Sequence, residues 1–293
     1  MVYKKSEGKQ VNEIFLNDLP KYSDWAKYIL GIKQLEKKIE KTANEVIREF
    51  EFERWGKLFS LLKDNPDLTL REIDGLICGE EEVPFYENGE FQLLPALSGH
   101  TITYNWITSI LKQHCNDVSG LVELGAGYGA IILKLAKLHP FNKLPLFAAE
   151  YTDSGCELIK MLAEKEAVKI KVGYCDFREK LLQGFDIPEG SVIYTCYATH
   201  YVPVFPDDFP DYFIKSNPKM VIHFEPIYEH CREDTLLDLM CRRYIELNDY
   251  NTNLVTVLHK QQKQGKIKIL EERKNVMGYN FLPVSLIRWK PEV

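Results

Sequence analysis

Apolar and polar positions follow two regimes along this chain. Over residues 23–62 the apolar side chains recur at helical spacing, through Trp25, Ile29, Ile32, Leu35, Ile39, Ala43, Ile47, Phe50, Trp55, Leu58 and Leu62, which predicts helices with one packing face. Gly31 and Gly56 are the places where that stripe breaks or bends. A second helix is expected after Asp67, because Thr69 and Glu72 stand at capping-box spacing. A loop is expected over residues 79–84, a strandlike pass over 91–94 and a helix over 101–114. From there the regime changes. Short apolar runs at 121–124, 144–149, 168–173, 191–196 and 219–224 are separated by helical stretches such as 130–139 and 154–165. Two last strands, 266–274 and 285–289, are joined only by a loop through Gly278-Tyr279-Asn280. Strands alternating with helices predict an α/β fold with a doubly wound, mostly parallel sheet. The final pair lacks a helix-length connector, so it predicts an antiparallel C-terminal hairpin. The expected whole is seven strands in a domain over residues 98–293, preceded by a helical unit over residues 1–97.

The first run leads into the most informative segment, Leu121-Val122-Glu123-Leu124-Gly125-Ala126-Gly127-Tyr128-Gly129. A strand ends in three closely spaced glycines and a helix starts at once. Such a turn lets a ligand approach the backbone, and the amides at a helix start favour an anionic group. A nucleoside cofactor fits here. Gly125-x-Gly127-x-x-Ala130 satisfies the dinucleotide fingerprint. The stretch from Val122 to Gly129 also closely resembles the glycine-rich first motif of the class I S-adenosylmethionine-dependent methyltransferases. In that family the acid two residues before the first glycine, here Glu123, orients the loop and the methionine part of the cofactor. The dinucleotide pattern asks for no acid there.

The next strand ends at Glu150, about 20 residues past the glycine turn, where a ribose-binding carboxylate is expected in either class. The third runs out at Asp176-Phe177, which resembles the family's adenine-recognition pattern: an acid for the exocyclic amine and an aromatic ring for the base. The resemblance thus implies S-adenosylmethionine as cofactor and S-adenosylhomocysteine as product. It implies a cofactor set of Glu123, Gly125, Ala126, Gly127, Gly129, Glu150, Tyr151, Asp176, Phe177 and Tyr197. It covers roughly residues 100–293, and the terminal strand pair is typical of that fold.

Methyl transfer asks mainly for alignment of the nucleophile with the methyl group, with a general base where the acceptor carries an excess proton. Open α/β sheets bind ligands at the C-terminal strand ends, which puts Tyr197, His200, Tyr201 and Glu225 near the chemistry. The catalytic expectation is Glu225, His200 and Tyr201. An acid at the end of a central strand is costly unless exposed or paired, so Glu225 is expected as base or as the anion holding a cationic substrate. His223 reads as a satisfied core histidine. Asp249, Asn251, Asn253 and Asn280 either reach the site or only turn the chain.

Absences narrow the substrate. There is no Asn-Pro-Pro-Tyr or Asp-Pro-Pro-Tyr after the fourth strand, no Pro-Cys, and no paired glutamates between Tyr197 and Phe205. These count against adenine amino-methylation of DNA, cytosine C5 chemistry and protein arginine methylation. Asp207 and Asp208 lie in a proline-flanked loop, so no metal is expected. The net charge of −6 disfavours nucleic acid, whose binders rely on a basic surface. The lysines at 33–38 alternate with glutamate, and those at 260–268 precede an edge strand, where lysine discourages strand pairing. No apolar run approaches the ~18 residues of a membrane helix, and residues 1–7 carry no secretory pattern. The seven scattered cysteines suit a reducing cytoplasm. No membrane partner is expected, and a homodimer is left open.

The function expected is therefore methyl transfer from S-adenosylmethionine to a nitrogen or oxygen of a small polar metabolite, such as an amino acid, an amine or guanidine, or a natural-product intermediate. Glu225 and the tyrosines favour an amine or guanidine. The N-terminal unit is expected to act as a lid. A peptide or protein acceptor, a dinucleotide-dependent oxidoreductase and a non-catalytic cofactor-binding scaffold stay open as alternatives.

Overall fold

The structure, a computed structural model, describes residues 12–79, 81–87, 89–279 and 281–292. The expectations for residues 1–7 and for Asn280 lie outside them. The strands are β1 (Asn12–Ile14), β2 (Glu82–Glu87), β3 (Glu90–Pro95), β4 (Leu121–Leu124), β5 (Leu146–Glu150), β6 (Lys171–Asp176), β7 (Leu181–Gln183), β8 (Val192–Cys196), β9 (Met220–Pro226), β10 (Ile267–Tyr279) and β11 (Leu282–Pro291). They form one mixed sheet in the order β1-β3-β2-β10-β11-β9-β8-β4-β5-β6-β7. The central strands β9, β8, β4, β5 and β6 are parallel. β11 runs antiparallel to β9, and β10 antiparallel to β11.

The sheet has eleven strands among the described residues, not the expected seven. On one side β10 continues to Tyr279, where Met277–Tyr279 pairs with Phe85–Glu87 of β2; β3 and β1 then extend the edge. On the other side β7 pairs with β6. Of these additions, β3 holds the strandlike pass expected over 91–94, while β1 and β7 are only three residues long. The Gly79, glutamate and Pro84 signals made β2 read as a loop, and three-residue strands leave no periodicity to detect.

The central strands are legible because both faces are covered. Successive residues alternate between the faces: Leu121, Leu146, Ala148, Val192 and Ile222 join one apolar core, and Val122, Phe147, Ala149, Ile193 and Val221 join the other. Helices Ala130–Leu135 and Asp153–Lys165 contribute to the first core, and Leu254–Lys263 to the second. His223 is buried within β9. Its Nε2 accepts from Trp289 Nε1–H at 3.0 Å, so the proton sits on Nδ1, 3.0 Å from Thr195 Oγ1. Burial pushes its pKa down to about 4.

The N-terminal stripe is not one helix. It divides into Asp24–Ile29, Ala43–Ile47, a π-helical turn Arg48–Arg54 and Trp55–Asp64. The helix Leu70–Cys78 carries the expected capping box of Thr69 and Glu72. A long helix, Ala96–His114, leads into β4. Among the described residues, no helix is long and apolar enough to cross a membrane.

Candidate active site

The turn after β4 is pinned to the neighbouring strand. Gly125 and Ala126 donate to the Ala149 carbonyl at 2.8 and 3.0 Å, and Gly127 N–H donates to Glu150 Oε2 at 2.9 Å. Gly125 has φ +74°, and a Cβ there would come within 2.3 Å of Ala198 Cβ, so only glycine fits where this turn meets the one after β8. Beneath the turn, buried Glu123 accepts from Ile132 N–H at 3.2 Å. Burial pushes its pKa up to about 8, which leaves it protonated at neutral pH.

Glu150 is buried at the end of β5, with Thr152 Oγ1 at 3.4 Å from Oε1. Burial raises its pKa against the pull of the Gly127 amide. At the end of β6, Asp176 Oδ1 accepts from the amides of Arg178 (2.7 Å) and Glu179 (3.4 Å). Phe177 packs edge-on against Phe209 and Tyr212. Tyr151 lies between the Tyr174 ring, 5.9 Å away, and the Arg178 guanidinium, also 5.9 Å away.

After β8 the chain makes a turn in which Tyr197 has φ +49°. Glu225, fully buried at the end of β9, holds this turn. It accepts from Ala198 N–H with both oxygens at 3.0 Å, from Thr199 N–H at 3.1 Å and from His200 Nδ1 at 3.4 Å. Burial raises its pKa, but His200 and the amides outweigh this and hold it below the ordinary carboxylate value. A carboxylate only accepts, so His200 carries its proton on Nδ1 and leaves a lone pair on Nε2. Burial lowers the His200 pKa and keeps the ring neutral. That ring packs 4.2 Å from Tyr201 and 4.6 Å from Tyr250, centre to centre.

These strand ends open onto one cavity of about 380 Å³, within the range of small-molecule sites. Its wall includes Glu123, Gly125, Ala126, Gly127, Glu150, Tyr151, Asp176, Phe177, Tyr197, His200 and Tyr201. Among the described residues, no group of three or more His, Cys, Asp or Glu side chains is placed to hold a metal ion.

No family model matches the chain, and no curated protein does. Solved structures do resemble it. The plantazolicin methyltransferase, in complex with a monoazolic desmethyl analogue and S-adenosylhomocysteine, aligns with a TM-score of 0.47 at 10% identity, over 84% of this chain and 93% of that one. Magnesium protoporphyrin IX methyltransferase from Synechocystis, also with S-adenosylhomocysteine, gives 0.46 at 13%, over 66% and 84%. PigF with the same ligand gives 0.45 at 14%; 67% of this chain is covered, and it spans 57% of that protein. S-adenosylmethionine-dependent methyltransferases are what this chain resembles.

Two expected site residues lie outside the cavity wall. Gly129, with φ +80°, starts the helix Ala130–Leu135 and packs on Ile159. Glu225, expected to face the methyl group, is enclosed behind the turn of residues 197–200, because four donor contacts already surround its carboxylate. Asn251 and Asn253 turn the chain: Asn251 Nδ2 donates to the Val202 carbonyl at 2.7 Å, and Asn253 pairs with both backbone groups of Phe205 at 2.9 Å. Asp249 accepts from Lys41 N–H at 2.8 Å.

The sequence reading missed the opposite wall. Phe50 and Arg54 enter it from the π-helical turn, Trp55 from the start of the helix Trp55–Asp64, Ile77 from the helix Leu70–Cys78, and Tyr279 and Leu282 from β10 and β11. His100, Thr103, Tyr104 and Ile107 also line it; their i, i+3, i+4, i+7 spacing is one helix face and was a signal available in the sequence. Trp55 covers the glycine turn so closely that a Cβ on Gly127 would come within 3.0 Å of its ring.

Proposed function

We propose that this chain is a class I methyltransferase that moves a methyl group from S-adenosylmethionine to a nitrogen or oxygen of a small metabolite in the cytoplasm. One observation carries the reading. The glycine turn, Glu150, Asp176-Phe177 and Tyr197 reach a single cavity from the C-terminal ends of four neighbouring parallel strands, β4, β5, β6 and β8. Ligands of open α/β sheets bind at such ends. The residues present suit the cofactor. Glu150 and Asp176 each keep an oxygen without a strong protein partner, one for ribose hydroxyls and one for an adenine amine, and Phe177 supplies an apolar face. When bound, the cofactor supplies a sulfonium-activated methyl group.

The chain's own residues then have three tasks. The glycine turn and Tyr197 fix the position of the reacting end. Phe50, Trp55 and Ile77, from the proposed lid unit of residues 1–97, exclude water over the domain of residues 98–293. His200, its Nδ1–H held by Glu225, offers the Nε2 lone pair to a proton leaving the acceptor. The wall's acidic side chains belong to the cofactor half: Glu150 and Asp176, with Glu123 protonated beneath the turn. That distribution favours a neutral hydroxyl acceptor over a cationic amine.

Calorimetric titration with S-adenosylmethionine, S-adenosylhomocysteine and NAD tests the proposal. Micromolar binding of both sulfur ligands with no NAD binding is expected. NAD binding alone, or no binding of any of the three, overturns it.

A further inference from the structure

Two residues of the cavity wall, Tyr128 and His100, are joined behind it by Asp74 and Lys134 into a polar network that the methyl-transfer chemistry does not use. Asp74 is buried on the helix Leu70–Cys78 and accepts from Tyr128 Oη–H at 2.9 Å. Its other oxygen pairs with Lys134 Nζ. Lys134 Nζ also lies 3.5 Å from His100 Nε2 and 5.1 Å from the centre of the Tyr104 ring.

An ammonium can only donate, so His100 Nε2 is the acceptor. Burial and the adjacent Lys134 charge lower the His100 pKa. The ring is therefore neutral, with its one proton on Nδ1. This histidine cannot serve as a base, since its lone pair faces a cation. It can donate. Nδ1 has no hydrogen-bond partner among the described residues, and the side chain lines the cavity on the same helix face as Tyr104 and Ile107. Tyr279 and Leu282 border that region from β10 and β11, and β9, β8 and β4 separate β11 from the Glu150 strand.

We propose that the face of His100, Tyr104 and Ile107 is a ligand subsite for a neutral, largely apolar molecule that presents an oxygen to His100 Nδ1–H. Asp74 and Lys134 are positioning residues: they fix the His100 tautomer and tie this wall to Tyr128 in the glycine turn. The subsite rests on the methyltransferase reading only in that its occupant would be the methyl acceptor. A cation is disfavoured there because Lys134 already supplies a positive charge and Asp74 is committed to it.

The test titrates the full chain with 2-naphthol and with 2-naphthylmethylamine, which is protonated at pH 7, both without and with saturating S-adenosylhomocysteine. Naphthol is expected to bind at least tenfold tighter than the ammonium in either condition. Losing one neutral hydrogen bond lowers affinity about tenfold, so His100→Phe should weaken naphthol by that factor. His100→Gln, which keeps a donor, should stay within about threefold of wild type. Affinity for S-adenosylhomocysteine should be unchanged in both variants. Absence of naphthol binding, equal binding of the ammonium, or retention by His100→Phe overturns the subsite. A parallel loss of S-adenosylhomocysteine in His100→Phe assigns His100 to the cofactor and overturns it as well. Failure of wild type to bind S-adenosylhomocysteine refutes the methyltransferase reading, while the naphthol comparison still judges the subsite.

Discussion

Glu225→Gln separates a positioning role from direct contact with substrate. The wild-type carboxylate has no exposure and receives the amides of Ala198 and Thr199 together with His200 Nδ1. Glutamine keeps the shape but only one acceptor oxygen. If that oxygen stays on the two amides, the new NH₂ group faces His200 Nδ1–H, donor against donor. Either His200 moves its proton to Nε2, which removes the proposed lone pair, or the turn opens. Loss of a buried hydrogen bond to a charged group costs roughly 1.5–3 kcal/mol, and urea unfolding at pH 7 should show a decrease of that size. Turnover should fall by about 10²–10⁴, the usual contribution of a general base, and ¹⁵N NMR should show the His200 proton relocated. The pH dependence has a definite sign. The folded-state pKa of Glu225 is held low, so its stabilisation is present above the unfolded value of about 4.3 and is lost as pH falls through the folded value. The gap between wild type and variant should be level from pH 5 to 8 and close in stronger acid. Equal stability at pH 7 with lost turnover would refute this reasoning and return Glu225 to direct contact with substrate.

Glu150→Gln should weaken S-adenosylhomocysteine by about 10- to 100-fold, the equivalent of one charge-assisted contact; an unchanged calorimetric affinity removes Glu150 from the site. Gly125→Ala should lower the melting temperature and abolish that binding, since a left-handed residue costs roughly 1–2 kcal/mol and its Cβ collides with Ala198. Glu123→Gln should gain stability relative to wild type as pH rises from 5 to 9. The folded pKa of Glu123, about 8, lies above its unfolded value, so its stabilisation is complete at low pH and lost as pH climbs through 8; a difference that does not change with pH contradicts a buried, protonated Glu123.

The parts of this molecule that the sequence exposed share one property: their residues are contiguous. β4, β5, β6, β8 and β9 are apolar runs because both faces are covered, and each cofactor candidate stands at or just past the end of one. The edge strands β1 and β2 gain their conformation from pairing across long separations, as when Phe85–Glu87 meets Met277–Tyr279 and Asn12–Ile14 meets Phe91–Leu93, and a local pattern carries no trace of that; β3 is legible as the strandlike pass over 91–94, and β7 is only three residues long. The same holds in the site. Lys134 reads as an ordinary solvent-facing lysine, and only the packed structure brings it to Asp74 and His100. For Glu225, the rule that a buried acid must be paired was informative. It did not say that the partners would be backbone amides behind the wall, rather than a ligand in front of it.

Contiguity also explains why the proposed lid could be seen in outline but not in its attachments. Four of the places where residues 41–78 hold the cofactor half bear on the site. Glu51 accepts from Ser154 N–H at 3.1 Å, at the start of the helix Asp153–Lys165. Trp55 covers Gly127, Asp74 binds Tyr128, and Arg178 Nη2 donates to the carbonyls of Lys41 (2.9 Å) and Tyr201 (2.7 Å). Three of the four end on residues next to a proposed cofactor contact, so a ligand that orders those contacts should also order the covering segment. Exchange of amides with solvent reports opening directly. Saturating S-adenosylhomocysteine should slow hydrogen–deuterium exchange in residues 43–64 as well as in the glycine turn, and Glu51→Gln should reduce the protection of the segment while leaving that of the turn. Protection confined to the turn would mean that the segment is a fixed wall, and that the cofactor enters and leaves without displacing it.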